Sequence, residues 1–215
     1  MQAQTQAQPP TPHKQIRALH DSTAITVYQA YSSTIASAAV AAQKLNASPA
    51  FRTGTRMTWI KPSWAWMLYR AGYSYKDARQ ERILALRMTR ADFVRLLERG
   101  VLTTHAHVAG VAAGEAKVKE KTNDVKVQWD PERSVRLDKL DYRSIQIGIP
   151  AGLCERWVEE MIVSIEDVTE RARELKRVLD ERPEVTGEEL VQMGLVPVER
   201  PFDVPEELQR ALGMV

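Results

Sequence analysis

The chain lacks the features that define several large classes of protein. A single cysteine, Cys154, excludes an intramolecular disulfide framework and a zinc site built from cysteines. No apolar run reaches the roughly 20 residues of a membrane-spanning helix, and no basic segment followed by an apolar stretch opens the chain as in a signal peptide. We therefore expect a soluble intracellular protein, cytoplasmic or nuclear, that has no membrane partner.

Glycine-rich phosphate loops are also missing, because Gly54 and Gly72 are isolated and stand in no dinucleotide-binding or P-loop pattern. Metal signals are weak. His105 and His107 alternate without a third ligand close by in sequence, and two carboxylates at 130 and 132 make half a hard-cation site. We predict no resident metal site.

What is present is an ordinary globular composition with an uneven distribution of charge. The 215 residues are 44% hydrophobic and 27% charged, with a net charge of +2, which suits one domain with a substantial core. Arg52 to Arg90 holds nine basic and two acidic residues, a net of +7, whereas Glu155 to Glu189 holds six basic and twelve acidic residues, a net of −6. The first block indicates an anionic partner such as phosphate, unless the two blocks face each other or the solvent.

Hydrophobic periodicity predicts an α+β fold, a single domain with a mixed, partly split β-sheet flanked by helices. Strands are expected at 24–31, 56–61, 82–88, 125–129, 142–149 and 161–165, and helices at about 33–45, 63–71, 89–100, 152–160, 168–181 and from 186. The segments 82–88 and 142–149 are expected to be central strands, and Asp130-Pro131 to end the strand before it.

The same pass divides the chain into three parts. Residues 1–15 are interpreted as a flexible Gln/Pro-rich tail, because they combine glutamine and proline with no periodic apolar face. Residues 16–181 form the catalytic or nucleotide-binding domain. Residues 182–215 are expected to be a C-terminal extension that wraps the surface.

The densest chemical signal runs from Arg56 to Arg70, where three of the five tryptophans alternate with basic residues. Aromatic faces stack on bases or nicotinamide, and basic side chains neutralise phosphates. Because Lys61 lies where a strand meets a helix, we predict that it shares a ligand cleft with Arg56 and Arg70. Alternatively, Trp59, Trp66 and Tyr69 pack a core.

Two further residues are candidates by position. Glu160 precedes an apolar strand and could project into a cleft, or it could belong to a solvated helix face. Arg143, near the start of a strand, could present its guanidinium to a ligand, or pair with Asp138 or Asp141.

Several blocks of this chain together resemble the family catalogued as domain of unknown function 4291. They are Ile16–Leu19, Thr26–Tyr31, Arg56–Ser63, Trp66–Arg70, Gln80–Arg82, Val127–Arg133, Tyr142–Gly148 and Ile165–Thr169. The resemblance covers about residues 16 to 169 and implies common descent without naming a reaction.

A more distant resemblance is to small ADP-ribosyltransferases, particularly those that act on nucleic acid. That family has a split α+β sheet in which a first-strand Arg or His and a central aromatic hold NAD. The resemblance puts Tyr28 at the first-strand position, a departure from the pattern, so that Arg56 or Arg143 would supply the cation. It also implies that Tyr69 stacks on nicotinamide and that Glu160 is the catalytic glutamate.

Three functions follow, in this order. The first is an ADP-ribosyltransferase-like enzyme that uses NAD and acts on nucleic acid or a nucleotide, with Glu160 stabilising the ribosyl cation. The second is an ATP-dependent nucleotidyl transferase or RNA ligase with Lys61 as nucleophile and Mg²⁺ near Asp130 and Glu132, although the ligase Lys-x-Asp-Gly pattern is absent. The third is a non-enzymatic RNA-binding module.

Overall fold

Two β-sheets meet side by side in the computed structural model, which describes residues 11–54, 57–103 and 124–215. The first is antiparallel, and its strands β2 (Ala24–Tyr31), β4 (Arg82–Thr89) and β8 (Ile162–Asp167) lie in the order β2-β4-β8. The second has the order β3-β7-β6-β5, with β3 (Thr58–Ile60), β7 (Lys139–Ile149), β6 (Val125–Arg133) and β5 (Gly100–Leu102). Since β5 runs parallel to β6 and the other pairs are antiparallel, this sheet is mixed.

A backbone bridge between Tyr28 and Lys61 connects the two sheets. The Tyr28 N–H donates to Lys61 O at 2.7 Å, and the Lys61 N–H donates to Tyr28 O at 3.3 Å. The predicted α+β fold with a partly split sheet is therefore confirmed. The central positions of β4 and β7 are confirmed as well, since each lies between two partner strands.

Helices cover the sheets, and a two-stranded ribbon pairs a segment near the start of the sequence with a segment near its end. The helices are α1 (Ser33–Ala42), α2 (Trp64–Ala71), α3 (Arg90–Glu98), α4 (Ala151–Arg156), α5 (Thr169–Glu181), α6 (Gly187–Gln192) and α7 (Glu206–Ala211), and the ribbon pairs β1 (Arg17–Ala18) with β9 (Arg200–Pro201). A 3₁₀ turn spans Ala78–Gln80, and a π turn, Trp157–Met161, leads from α4 into β8. No helix in the described part of the chain is long and apolar enough to cross a membrane.

Helix α2 begins and ends as its sequence indicates. The Ser63 hydroxyl caps the first turn by accepting from the Trp66 N–H at 3.1 Å, and Gly72 closes the helix in the left-handed conformation with φ 54°. Pro62 lies just before the helix rather than in its first turn. Lys61 is therefore held two residues upstream of the helix cap.

The prediction that helix α1 runs to about Leu45 is wrong. The helix ends at Ala42, and Gln43 takes the left-handed conformation with φ 53°. The Gln43 amide donates to Ile165 O and accepts from the Ile165 N–H, both at 2.9 Å. Because its side chain forms both hydrogen bonds with the backbone of β8, Gln43 is held at the edge of the sheet, and the helix ends before it.

The prediction that Asp130-Pro131 ends a strand is also wrong, because β6 continues to Arg133 with a register shift after Pro131. Pro131 faces Arg143 on β7, whose N–H points the other way and donates to His13 O at 2.8 Å. The pair thus needs no hydrogen bond from Pro131, and proline is accommodated.

The C-terminal segment after residue 181 contributes side chains to the core. Leu190, Leu195, Phe202, Leu208 and Leu212 are all buried, and the Trp129 indole donates to Leu212 O at 2.8 Å. At the other end, His13 and Lys14 already pair with the Arg143 region of β7.

Candidate functional site

Lys61 is the centre of a buried polar cluster at the junction of β3 and α2. It is 2% exposed, and its ammonium Nζ lies 2.8 Å from Asp130 Oδ2. The same nitrogen lies 3.8 Å from the centroid of the Trp66 ring, a cation–π contact. Lys61 directly follows strand β3, Asp130 belongs to strand β6, and the indole of Trp66 on helix α2 covers the Lys61 ammonium.

A second hydrogen bond joins the start of α2 to β6, two residues further along each segment than the Lys61–Asp130 pair. The Ser63 hydroxyl donates to Glu132 Oε1 at 2.8 Å, and this oxygen also accepts from the Arg133 N–H at 2.8 Å. Asp130 and Glu132 are 3% and 5% exposed, whereas Pro131 between them is half-buried. The continued strand thus points both carboxylates inward at the cap of α2.

Burial changes the proton affinity of this cluster. It lowers the pKa of Lys61 to about 8, and the attraction of Asp130 and Glu132 offsets only part of that effect. Burial also raises the pKa of Glu199 to about 8, although its Oε1 accepts from the Trp64 N–H at the start of α2 at 2.6 Å. An amine and a carboxyl therefore both titrate near neutral pH at the two sides of the α2 N-terminus.

A chain of ring contacts leads from Lys61 to the surface. The half-buried Trp66 ring lies edge to face with Tyr69 at 6.4 Å, and Tyr69 is 37% exposed. The Arg133 guanidinium carbon lies 3.8 Å from the centre of the Tyr69 ring. Arg133 Nε and Ser144 Oγ, which is opposite Asp130 in the sheet, are buried without a hydrogen-bond partner in the described structure.

The structure places some of the predicted site residues near Lys61 and others elsewhere. Lys61 is central, and Tyr69 joins it through Trp66. Arg70 is exposed on the same helix, and Arg143 is turned toward β6, donating to Trp129 O at 2.9 Å. Arg56 lies outside the described residues.

Tyr28 belongs to the core in this fold. Its ring is 1% exposed and packs against Trp64 at 5.2 Å, and burial raises the pKa of its hydroxyl. Its link to the cluster is the backbone bridge to Lys61. Trp64 is likewise buried in this core, whereas Trp59 and Trp66 are half-buried and Tyr69 is exposed.

Glu160 lies on a different part of the surface. It belongs to the π turn before β8, is exposed, and forms an ion pair with Arg156 at 2.8 Å. Since β4 lies between β8 and β2, Glu160 and the Tyr28–Lys61 bridge belong to opposite edges of the three-stranded sheet, about 10 Å or more apart. The structure does not bring Glu160 and Lys61 together.

The weaker candidates have structural explanations where they are described. Cys154 is buried, and burial raises the pKa of its thiol, which disfavours the thiolate. Within the described ranges no group of three His, Cys, Asp or Glu side chains could hold a metal ion. His105 and His107 lie outside those ranges.

Sequence reasoning missed two members of the cluster. Ser63 has the signature of a helix cap, but nothing local indicates that its hydroxyl also donates to Glu132. Glu199 is 135 residues from Trp64 along the chain and stands in a segment that has no motif. A long-range contact of this kind leaves no signal in a single sequence.

The fold and the site define an α+β protein with a buried lysine–carboxylate cluster at a strand-to-helix junction. The chain belongs to the family described as domain of unknown function (DUF4291), whose model matches residues 15–202. The match extends past residue 181 and includes Glu199, in agreement with the packing of the C-terminal segment. The comparison with curated proteins found no match.

Proposed function

We propose that this protein is a nucleotide-dependent transferase of the nucleotidyl transferase type, in which Lys61 is the reactive amine. The observation that carries the proposal is the state of that amine. It is buried beneath Trp66, it is paired with Asp130, and its pKa is lowered to about 8. A lysine becomes nucleophilic at neutral pH when desolvation lowers its pKa, because a larger fraction is then uncharged.

The proposed first step joins Lys61 to the nucleotide. Asp130 accepts a hydrogen bond from Lys61 Nζ, the atom that must lose a proton. Asp130 can therefore accept that proton as the neutral nitrogen attacks the α-phosphorus of ATP. A nitrogen–phosphorus bond forms, the bond to the bridging oxygen breaks, and pyrophosphate leaves. In the second step an acceptor oxygen attacks the same phosphorus, the nitrogen–phosphorus bond breaks, AMP passes to the acceptor, and the proton returns from Asp130 to the Lys61 nitrogen.

The surroundings support nucleotide entry from the Tyr69 side. The Trp66 ring offers a stacking face for the base of ATP, and Arg133 supplies positive charge for its phosphates. ATP would bring Mg²⁺ with its phosphates, and Asp130 and Glu132 are the carboxylates near Lys61 that could complete the oxygen shell of that ion. Trp66 would have to move aside, since it covers Nζ.

An ADP-ribosyltransferase that uses NAD remains a second candidate, through the resemblance that singles out Glu160. That glutamate is exposed and paired with Arg156, whereas the buried reactive group is Lys61. The geometry therefore favours the lysine, and one experiment can decide between the two.

The test is intact-mass measurement after incubation with ATP and Mg²⁺, or with NAD, each with and without RNA. We expect the mass of one AMP to be added with ATP, and the adduct to be lost in acid, as expected of a nitrogen–phosphorus bond. The double variant Lys61→Met/Asp130→Leu should form none, and Glu160→Gln should match the wild type. ADP-ribose transfer that disappears in Glu160→Gln would overturn the proposal, and so would the absence of any adduct.

A further inference from the structure

The surface outside Trp66 carries two exposed tyrosines in basic surroundings. Tyr69 is 37% exposed, and Tyr75 is 65% exposed. Lys76 Nζ lies 5.8 Å from the centre of the Tyr69 ring, on which Arg133 also lies, and the Arg173 guanidinium lies 5.5 Å from the centre of the Tyr75 ring. Each exposed ring is thus accompanied by at least one cation.

A strained turn presents Tyr75 outward. Gly72, Tyr73 and Ser74 all have positive φ, at 54°, 53° and 80°, which is costly for the two residues that are not glycine. The Tyr73 hydroxyl donates to Val135 O at 2.5 Å, and the Arg173 Nε donates to Ser74 Oγ at 2.9 Å. A strained backbone that is held this firmly places the next side chain in one direction, and that side chain is an exposed aromatic ring.

Positive charge is in surplus around Tyr69. Two acidic side chains of this surface are each paired with an arginine, Asp77 with Arg79 and Glu170 with Arg173, the arginine beside Tyr75. Arg70, Lys76 and Arg133 carry the remaining charge, with Arg70 and Lys76 exposed. Exposed rings beside cations are the combination with which proteins bind single-stranded nucleic acid, since bases stack on the rings and phosphates meet the cations.

We propose that Tyr69, Tyr75 and the basic residues around them form a binding surface for single-stranded nucleic acid. The Tyr69–Trp66 contact leads from this surface to Lys61, so the bound strand is the acceptor in the transfer reaction. That acceptor role rests on the proposed function, whereas binding to the surface does not.

The test is fluorescence anisotropy with a labelled oligouridylate RNA of about 12 nucleotides, measured without ATP over a range of salt concentrations. Tyr75→Ala should weaken binding at least about fivefold, while Tyr75→Phe, which keeps the ring face, should bind as the wild type does. Lys76→Ala should reduce the slope of log K against log salt by about 0.7, and Lys44→Ala, which removes an exposed lysine elsewhere, should not.

Three results would overturn the proposal: no saturable binding by the wild type, unchanged binding by Tyr75→Ala, or equal binding of polyphosphate or poly-glutamate in place of RNA. The last of these would mark the surface as a general anion or acidic-peptide site. Failure of the proposed function has a different signature. In that case the wild type binds RNA but forms no AMP adduct, whereas under the full scheme Tyr75→Ala still forms the adduct and loses transfer to RNA.

Discussion

Lys61 and Asp130 form an ion pair at 2.8 Å in which the side chains are only 2% and 5% exposed. Taking two charges out of water is expensive, so such a pair contributes little net stability compared with an apolar pair of similar volume. Losing one partner has a different effect, because the other charge is then left buried. The two effects can be separated by measuring the stability of single and double variants.

A double-mutant cycle measures that relationship. We expect Lys61→Met to lower the free energy of unfolding by about 3–5 kcal/mol, since it removes the buried ammonium that balances the charge of Asp130. The double variant Lys61→Met/Asp130→Leu should recover most of the loss, because both charges are then absent. Urea denaturation followed by tryptophan fluorescence gives these values.

The matched control is Lys44→Met, which breaks an exposed ion pair with Glu159 and should change stability little. A Lys61→Met variant as stable as the wild type would show that Asp130 is not left as a buried charge.

The second prediction concerns pH and Glu199. In the folded state its pKa is raised from 4.5 to about 8, so the folded protein holds a proton that the unfolded chain has released between those values. Stability from this group is fully present below pH 4.5 and is lost as the pH rises through 8, with a slope of at most about 1.4 kcal/mol per pH unit. Lys61 affects the free energy of unfolding at higher pH. Its pKa is lowered from 10.5 to about 8, so its contribution rises with pH between 8 and 10.5.

Urea denaturation of the wild type and Glu199→Gln at pH 5 to 8 separates these effects. The glutamine can still accept from the Trp64 N–H, but it does not titrate, so the stability of the wild type relative to the variant should fall across this range. Glu207→Gln, an exposed substitution on α7, should leave the pH profile unchanged. Parallel profiles for wild type and Glu199→Gln would contradict the raised pKa.

The sequence predicted the helices and strands of this fold better than the contacts between them. Strands β2, β4 and β7 were found because their apolar residues are continuous or alternate, and α2 because Ser63 and Gly72 are local start and stop signals. Lys61 was identified because it stands between apolar neighbours where a strand meets a helix. These are all short-range signals.

What the sequence could not supply was pairing over long distances. Pro131 was interpreted as a strand end because proline lacks an N–H, yet the pairing of His13 with Arg143 is what makes that N–H unnecessary. The partnership of Lys61 with Asp130 spans 69 residues, and neither position alone indicates it.

The third prediction concerns the C-terminal segment, which the sequence marked only as an extension. Truncation after Glu181 would remove Glu199, Phe202 and Leu212, and with them a carboxyl from the start of α2 and two buried side chains. We expect the truncated chain to lose cooperative unfolding and its fixed tryptophan environment, measured by near-UV circular dichroism. Full retention of both would show that the domain ends at residue 181.

The last prediction tests how β3 holds Lys61 in place. Trp59 pairs with Gly148 across β3 and β7, and a Cβ built on Gly148 would lie 2.6 Å from Met57 Sδ and 2.9 Å from two carbons of the Trp59 ring. A methyl group at this position must displace the ring or the strand. Overpacking of this kind typically costs about 1–3 kcal/mol, so we expect Gly148→Ala to lower the free energy of unfolding by that amount.

Because β3 ends one residue before Lys61, the same shift should move the amine relative to Asp130 and reduce the rate of AMP adduct formation. Gly187→Ala is the matched control, since a Cβ there meets nothing within 4 Å, and it should leave stability and adduct formation near the wild-type values. If Gly148→Ala reduced stability while the adduct formed at the wild-type rate, the position of Lys61 would not depend on the packing of β3 against β7.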